Sequence, residues 1–293
     1  MISLIEIHFS AIELVNIKTP SMLDVAIKHS NQMLLSVYNF INYFDLFHLI
    51  LIGKMEKYSV FLILFIMSLS GHTAPGQALG YFFQLERAMS WISKTPMGST
   101  IGIETDDDVV VKLSNGEKIL EQDKSTTTSF PFIPSRPDLW KTLNIWLEGI
   151  TSCEIDLNTT SFYLVSNKAS RNSLAQKISD ATTPQLAKDC LKEIKTVIAT
   201  IEGENKTIAE KLLNYEDKPF LELIQKITFD GGDSVFDRKN IVSDLHIVNC
   251  DEDDINSILN ELTGWLFNEV VQKWRAKKPA VIERDAFILA KNK

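Results

Sequence analysis

The stretch DDVVVKLSNGEKILEQDK, residues 107–124, limits the fold more than any other part of this 293-residue chain. Val109, Val110 and Val111 are β-branched and suit a pleated, buried surface. Ser114, Asn115 and Gly116 supply a turn, because Asn and Gly accept the positive φ angles of a tight hairpin. The segment therefore predicts two antiparallel strands, 107–113 and 117–124. Acids stand at the open end of the first, and Gln-x-Lys stands at the open end of the second.

A two-residue loop at Asn115 and Gly116 sets a definite register. Asp107 falls opposite Lys124, Val109 opposite Gln122, Val111 opposite Leu120 and Leu113 opposite Lys118. Directly paired residues share a face, and each face repeats every second residue. One face then carries Val109, Val111 and Leu120, with Asp107, Gln122 and Lys124 at its open end. The other carries Asp108, Val110, Lys112, Ile119, Glu121 and Asp123. The first face is the more apolar, so it is expected to pack on a helix at 76–94 and leave its polar triad at the mouth of the core. A three-residue or bulged turn would change these pairings.

Such a triad suits phosphodiester hydrolysis, which needs a metal, a nucleophilic water and charge stabilisation in the transition state. In this expectation Asp107 ligates Mg2+ (or Mn2+), and the Gln122 carbonyl adds a weak ligand. Lys124 orients the attacking water or stabilises the phosphate, and Gln84 or Glu86 on the preceding helix completes the shell.

The surrounding pattern places this hairpin in a mixed domain. Leu79, Phe82, Phe83, Leu85, Met89 and Ile92 recur at helical spacing through 76–94. A strand is expected at 100–105. The connector SFPFIPSRPD follows the hairpin and offers Ser135 or Asp138 to cap a helix at 139–150. A further strand is expected at 161–167. Beyond 168 the pattern turns helical, at 171–181, 184–201, 205–214, 217–227 and 253–277, with a short strand at 241–248. The run CDEDD at 250–254 lacks the spacing of a calcium loop and reads as an acid-rich helix start. The last residues begin a fresh helical pattern, so a shortened form of a longer protein is one expectation.

Residues 1–66 do not match the rest. Residues 33–53 approach bilayer-spanning length but carry Asp45 and His48, and 58–70 are too short to span. From Met55 the chain imitates a signal peptide. A membrane anchor, a signal peptide and upstream translation before a start at Met67 all stay open. A net charge of −8 and a pI near 5.2 argue against histone-like nucleic-acid binding, though not against a local basic groove. Three scattered cysteines and five unclustered histidines suit a reducing cytoplasm and argue against a zinc site.

In combination these features resemble the PD-(D/E)xK-type nucleases, in the branch where glutamine replaces the glutamate of the last motif. Three elements carry the resemblance: GYFFQ at 80–84, ETDDDV at 104–109 and QDK at 122–124. More narrowly, residues 67–167, about one third of the chain, resemble the N-terminal nuclease domain of bacterial anti-phage effectors. Those proteins begin shortly before the equivalent of PGQALGYFFQ, which favours Met67 as a start. The resemblance implies an α/β restriction-endonuclease-like core (α-β-β-β-α-β, mixed central sheet) over 67–168, followed by a mainly α-helical region over 169–293. It implies cytoplasmic, Mg2+-dependent cleavage of double-stranded DNA, with metal ligands among Glu104, Asp107, Asp108 and Gln122. It also implies that the helical region docks a regulatory partner protein or senses a nucleotide signal, and it leaves room for a homo-oligomer. A membrane partner is not implied.

Departures favour a second reading, a catalytically inert binding or scaffold protein that keeps the fold. The usual glutamate is Gln122, Glu121 is out of phase with Lys124, and only the register separates Asp107 from Asp108. Taken singly, EQDK is a solvated strand end and three acids in a row are a turn. Trp91, Trp140 and Trp146 read as core residues rather than base-stacking ones.

Overall fold

The structure is a computed structural model that describes residues 74–127, 129–232, 238–248 and 250–291. The anchor, signal-peptide and upstream-translation readings of residues 1–66 lie outside the described residues. His72–Lys293 forms a compact unit of its own. No helix among the described residues is long and apolar enough to cross a membrane.

The chain opens with α1 (Ala74–Lys94), then β1 (Thr100–Ile103), β2 (Val109–Lys112), β3 (Lys118–Lys124), α2 (Pro137–Thr151) and β4 (Thr160–Ser166). This is the helix-strand-strand-strand-helix-strand order expected from the sequence. α3 (Leu174–Asp180), α4 (Pro184–Thr200), α5 (Glu204–Glu210), a 3-10 turn (Lys211–Asn214) and α6 (Asp217–Ile224) follow. The chain then forms β5 (Ile227–Gly231), α7 (Arg238–Asp244), α8 (Glu252–Arg275), β6 (Ala280–Glu283) and α9 (Arg284–Lys291).

All six strands lie in one mixed sheet in the order β5-β4-β3-β2-β1-β6. β1, β2, β3 and β6 make antiparallel pairs, while β3, β4 and β5 run parallel. Parallel neighbours need crossovers; α2 joins β3 to β4, and α3 to α6 join β4 to β5. Helices therefore cover both faces. On one side Val110, Leu120, Phe162 and Leu164 pack with Leu139, Trp140, Leu143, Trp146 and Leu147 of α2. On the other, Ile101, Ile103, Val109 and Val111 pack with Leu85, Ala88, Met89 and Ile92 of α1 and with α8. This explains the unbroken run of Val109, Val110 and Val111, all of them buried. A strand covered on both faces needs no polar alternation. Trp140, Trp146 and Phe162 are fully enclosed, and truncating any of them to Ala would cost about 3–5 kcal/mol.

Three expectations need correction. The strand expected at 241–248 is instead occupied by α7 and the turn after it, because Ile241 and Leu245, four residues apart, share a helical face against the core. The region after 168 is helical but also contributes β5 and β6 to the two edges of the sheet. Neither Ser135 nor Asp138 caps α2: Arg136 takes the cap position, and Pro137 opens the helix with its φ already set. The acidic run 250–254 does open a helix, with Asp251 accepting from the Asp254 N–H at 2.9 Å.

Candidate functional site

Beyond β2 and before β3, Leu113 and Glu117 close a turn of three residues, Ser114, Asn115 and Gly116. Leu113 N–H donates to Glu117 O at 2.8 Å, Gly116 N–H donates to Leu113 O at 3.0 Å, and Gly116 has φ of 91°. The left-handed glycine completes a turn-plus-bulge closure. The extra loop residue slips the register by one, so Val109 pairs with Glu121, Val110 with Leu120 and Val111 with Ile119. A slip of one residue turns every side chain to the opposite face. Gln122 and Lys124 therefore share a face with Val110 and Leu120, against α2 and not against α1.

Asp108, not Asp107, meets them there. Its Oδ2 accepts the Asp123 backbone N–H at 2.8 Å and the Gln122 side-chain amide, and lies 3.9 Å from Lys124 Nζ. Gln122 Oε1 in turn accepts from the Thr142 hydroxyl of α2 at 3.2 Å. Asp107 points elsewhere: Oδ2 accepts the Trp146 indole N–H at 2.7 Å, and Oδ1 accepts the Asp108 N–H at 2.9 Å. Burial pushes Asp107 up to about 7, against those two hydrogen bonds. Burial also raises Asp108, with Glu104 adding to the effect and Lys124 opposing it.

Glu104 closes the β1–β2 connection at φ of 50°, a left-handed conformation that is strained for a residue with a Cβ. Its N–H donates to Asp108 O at 2.9 Å, so the two acids continue the β1–β2 ladder side by side. From α1, Gln84 Nε2 donates to Glu104 Oε1 at 2.7 Å. Glu104, Asp108, Gln122, Lys124 and Gln84 thus converge where β1 and β3 end and β2 begins, while Asp107 anchors the loop to α2.

A cation at this place would find oxygens that no protein donor occupies. Gln84 Oε1 is buried without a partner. Among the described residues, Asp108 Oδ1 and Glu104 Oε2 make no hydrogen bond either. Also among the described residues, no group of three or more His, Cys, Asp or Glu is placed to hold a metal. Any ion would therefore rest on two carboxylates, an amide oxygen and water, which suits Mg2+ better than a softer metal. Two of the expected ligands are otherwise engaged: Asp107 by the Trp146 indole and the Asp108 N–H, and the Gln122 carbonyl by Thr142.

The opposite face holds a group that sequence reasoning missed. Glu121 is fully buried and takes Arg87 in a two-pronged pair at 2.8 Å through Nε and 2.8 Å through Nη2. The Trp91 indole N–H also donates to it at 2.7 Å. Burial works against the Arg87 charge, but Glu121 outweighs it and holds the guanidinium pKa above its ordinary value. Next along that face, Asp123 is 5 % exposed, with both carboxyl oxygens buried and no donor to either. Burial first, and Glu121 second, hold its pKa well above the ordinary carboxylate value. The signal was present in the sequence: Phe83, Arg87 and Trp91 fall on one helical stripe, where a cation needs a buried counter-ion.

No protein-family model and no curated protein matches the chain. Among solved structures it is similar to the Acinetobacter baumannii Cap4 SAVED/CARF-domain containing receptor, at 12% identity and a TM-score of 0.43 over 72% of this chain. It is also similar to the Moraxella osloensis Cap4 SAVED/CARF-domain containing receptor, at 15% identity and a TM-score of 0.39 over 73% of this chain. The chain spans 46% and 47% of those two chains.

Proposed function

We propose that the chain is a metal-dependent nuclease that hydrolyses DNA phosphodiester bonds as an anti-phage effector, on a restriction-endonuclease-like arrangement of α1, β1 to β3, α2 and β4. The observation that carries this reading is the convergence of Asp108, Gln122 and Lys124 at one sheet end, beside acceptor oxygens that lack donors. Glu104, Asp108 and Gln84 would hold Mg2+ or Mn2+, which supplies an activated water and polarises the phosphoryl group. Lys124 is the cation placed to meet a phosphate oxygen, and its 3.9 Å separation from Asp108 leaves it free to move toward one. Gln122 steers Asp108 from one side while Thr142 fixes the Gln122 amide from the other. Asp107 is a positioning residue, tying the acidic loop to Trp146. A partner protein or nucleotide signal acting on the region after 168 would reach the site through the sheet, because β5 and β6 belong to it.

A second reading, an inert scaffold, draws on one specific feature. Gln122 turns its N–H toward Asp108 and its carbonyl toward Thr142, so the side that faces Asp108 is a donor and not a ligand oxygen. Plasmid cleavage by the full chain, with Mg2+ and with EDTA, separates the two. The nuclease reading expects Mg2+-dependent cutting that falls by about a hundredfold or more in Lys124→Ala and Asp108→Ala, with both variants still folded at the assay temperature by their melting curves. Wild-type cutting that survives both substitutions, or none at all from folded wild type, sinks it.

A further inference from the structure

Four cations crowd the end of α8 and the turn after it: Lys273, Arg275, Lys277 and Lys278. In a chain of net charge −8 this is a marked local reversal. Among the described residues, none of the four side chains joins an ion pair. The turn is held by Lys277 N–H to Trp274 O at 2.9 Å and Lys278 N–H to Lys273 O at 2.9 Å, with Lys277 at φ of 54°. Glycine is the residue that favours this position after a helix, so a lysine occupies it at some conformational cost.

The plain account of such cations is that they offset the negative end of the helix dipole. That covers Lys273 and Arg275, which sit in the last turn. It does not cover Lys277 and Lys278, which lie past the last helical residue. Nor does it cover Trp274, which is 38% exposed and stands edge-on to Tyr81, itself 50% exposed, with ring centroids 6.1 Å apart.

Two short structural routes join this surface to the acidic site. From Lys278 the chain passes through Pro279 into β6, whose Ala280 pairs with Ile103, the last residue of β1; Glu104 follows it directly. Along α1, Tyr81 precedes Gln84 by about one turn, and Gln84 donates to Glu104. The basic surface and the site therefore occupy the same end of the sheet.

We propose that Lys273, Arg275, Lys277 and Lys278, beside Trp274 and Tyr81, form the surface that holds the phosphate backbone of duplex DNA next to the Asp108 site. This rests on the nuclease reading. The connection that carries the site holds Glu104, Asp106, Asp107 and Asp108, of which Asp106 pairs with Lys118. This acidic loop repels a polyanion, so attraction has to come from cations close by. Lysines act as compact charges on exposed stems, which suits backbone contact without base reading.

The test is fluorescence anisotropy of a labelled duplex with the full chain in EDTA, across a salt series. Wild type is compared with Lys277→Ala/Lys278→Ala and with a control, Lys188→Ala/Lys192→Ala, on α4. Removing two phosphate contacts makes the slope of log affinity against log salt shallower by about 1.8, and binding up to roughly 60-fold weaker at about 0.1 M salt. The control keeps the wild-type slope, and all three proteins melt together. An unchanged slope in the first variant, or an equal loss in the control, overturns the proposal. So does wild-type binding to phosphatidylserine vesicles but not to DNA. If the variant loses DNA binding while wild type shows no Mg2+-dependent cleavage, the surface stands and the nuclease reading falls. If wild type cleaves and the variant binds and cleaves equally well, the reverse holds.

Discussion

Gln122→Glu is the substitution that most directly interrogates the candidate site. Wild-type Gln122 donates to Asp108 Oδ2, an oxygen that also accepts the Asp123 N–H, while Lys124 stands 3.9 Å away. A glutamate at 122 removes that donor and places a second negative charge against Asp108. Losing a hydrogen bond to a charged acceptor costs about 1.5–3 kcal/mol. Two like charges some 4 Å apart repel by about 1 kcal/mol in water and about 4 kcal/mol at an effective dielectric of ~20. Asp108 is largely buried yet open at one side, and Lys124 screens part of the repulsion, so a total of about 2–4 kcal/mol is reasonable. For a unit of this size that lowers Tm by roughly 5–15 °C. A divalent cation reverses the sign, because the same two carboxylates become ligands. Saturation at a hundred times Kd adds about 2.7 kcal/mol to a protein that binds only when folded. The assay is thermal melting of wild type and variant in EDTA and in millimolar Mg2+. The expected pattern is a large loss in EDTA that Mg2+ restores in the variant, with a smaller Mg2+ shift in wild type. A variant as stable as wild type in EDTA would refute the placement of Gln122 against Asp108. Equal Mg2+ shifts in the two proteins would refute the cation site.

Other groups give sharper readouts of single contacts. Arg87→Met strands Glu121 in the core and should cost about 3–5 kcal/mol in chemical denaturation, whereas Arg87→Met/Glu121→Gln should recover much of that loss; additive costs would show the pair is not coupled. Asp123 has its folded pKa raised by burial and by Glu121, so between the ordinary carboxylate value and that raised value the folded state holds a proton the unfolded state has released. Its contribution is therefore fully present below the unfolded pKa and fades as pH rises through that window. Asp123→Asn should flatten this part of the stability-versus-pH curve and raise Tm near neutrality, and an unchanged slope would argue against a buried, proton-holding Asp123. Trp146→Phe removes the N–H that lowers the Asp107 pKa, so Asp107 should titrate above its value of about 7 in carboxyl NMR; a downward move would mean the indole does not stabilise the charged form.

Much of the fold was legible because the signals were local. The stripe Leu85, Met89, Ile92 fixed α1, and the crossover helix showed in its buried Trp140, Leu143 and Leu147. Strand content beyond residue 168 was not legible for the opposite reason. ITFDG and AVIE are short segments that become strands only by pairing with Phe162–Ser166 and Thr100–Ile103, far away in sequence. Likewise IVSDLHIV is rich in β-branched residues, yet the core contacts of Ile241 and Leu245 make its first half helical.

The site divides along the same line. Gln122 and Lys124 had to share a face whatever the turn, because they are two residues apart on one strand. Which aspartate joined them depended on whether Ser114 belonged to the strand or to the loop, and residues on both sides of that choice are turn formers. Gly116 in the left-handed region is compatible with a two-residue loop and with a three-residue one. What decides is the sheet. The observed register buries Val109 and Val111 against α1 and Val110 and Leu120 against α2. It also brings Glu121, which is out of phase with Lys124, onto Arg87. Slipping β3 back by one residue would put Asp107 opposite Lys124, but would send Glu121 toward the α2 core and strand Arg87 without its buried partner. The buried ion pair on the far face thus selects the register that places Asp108 at the candidate site.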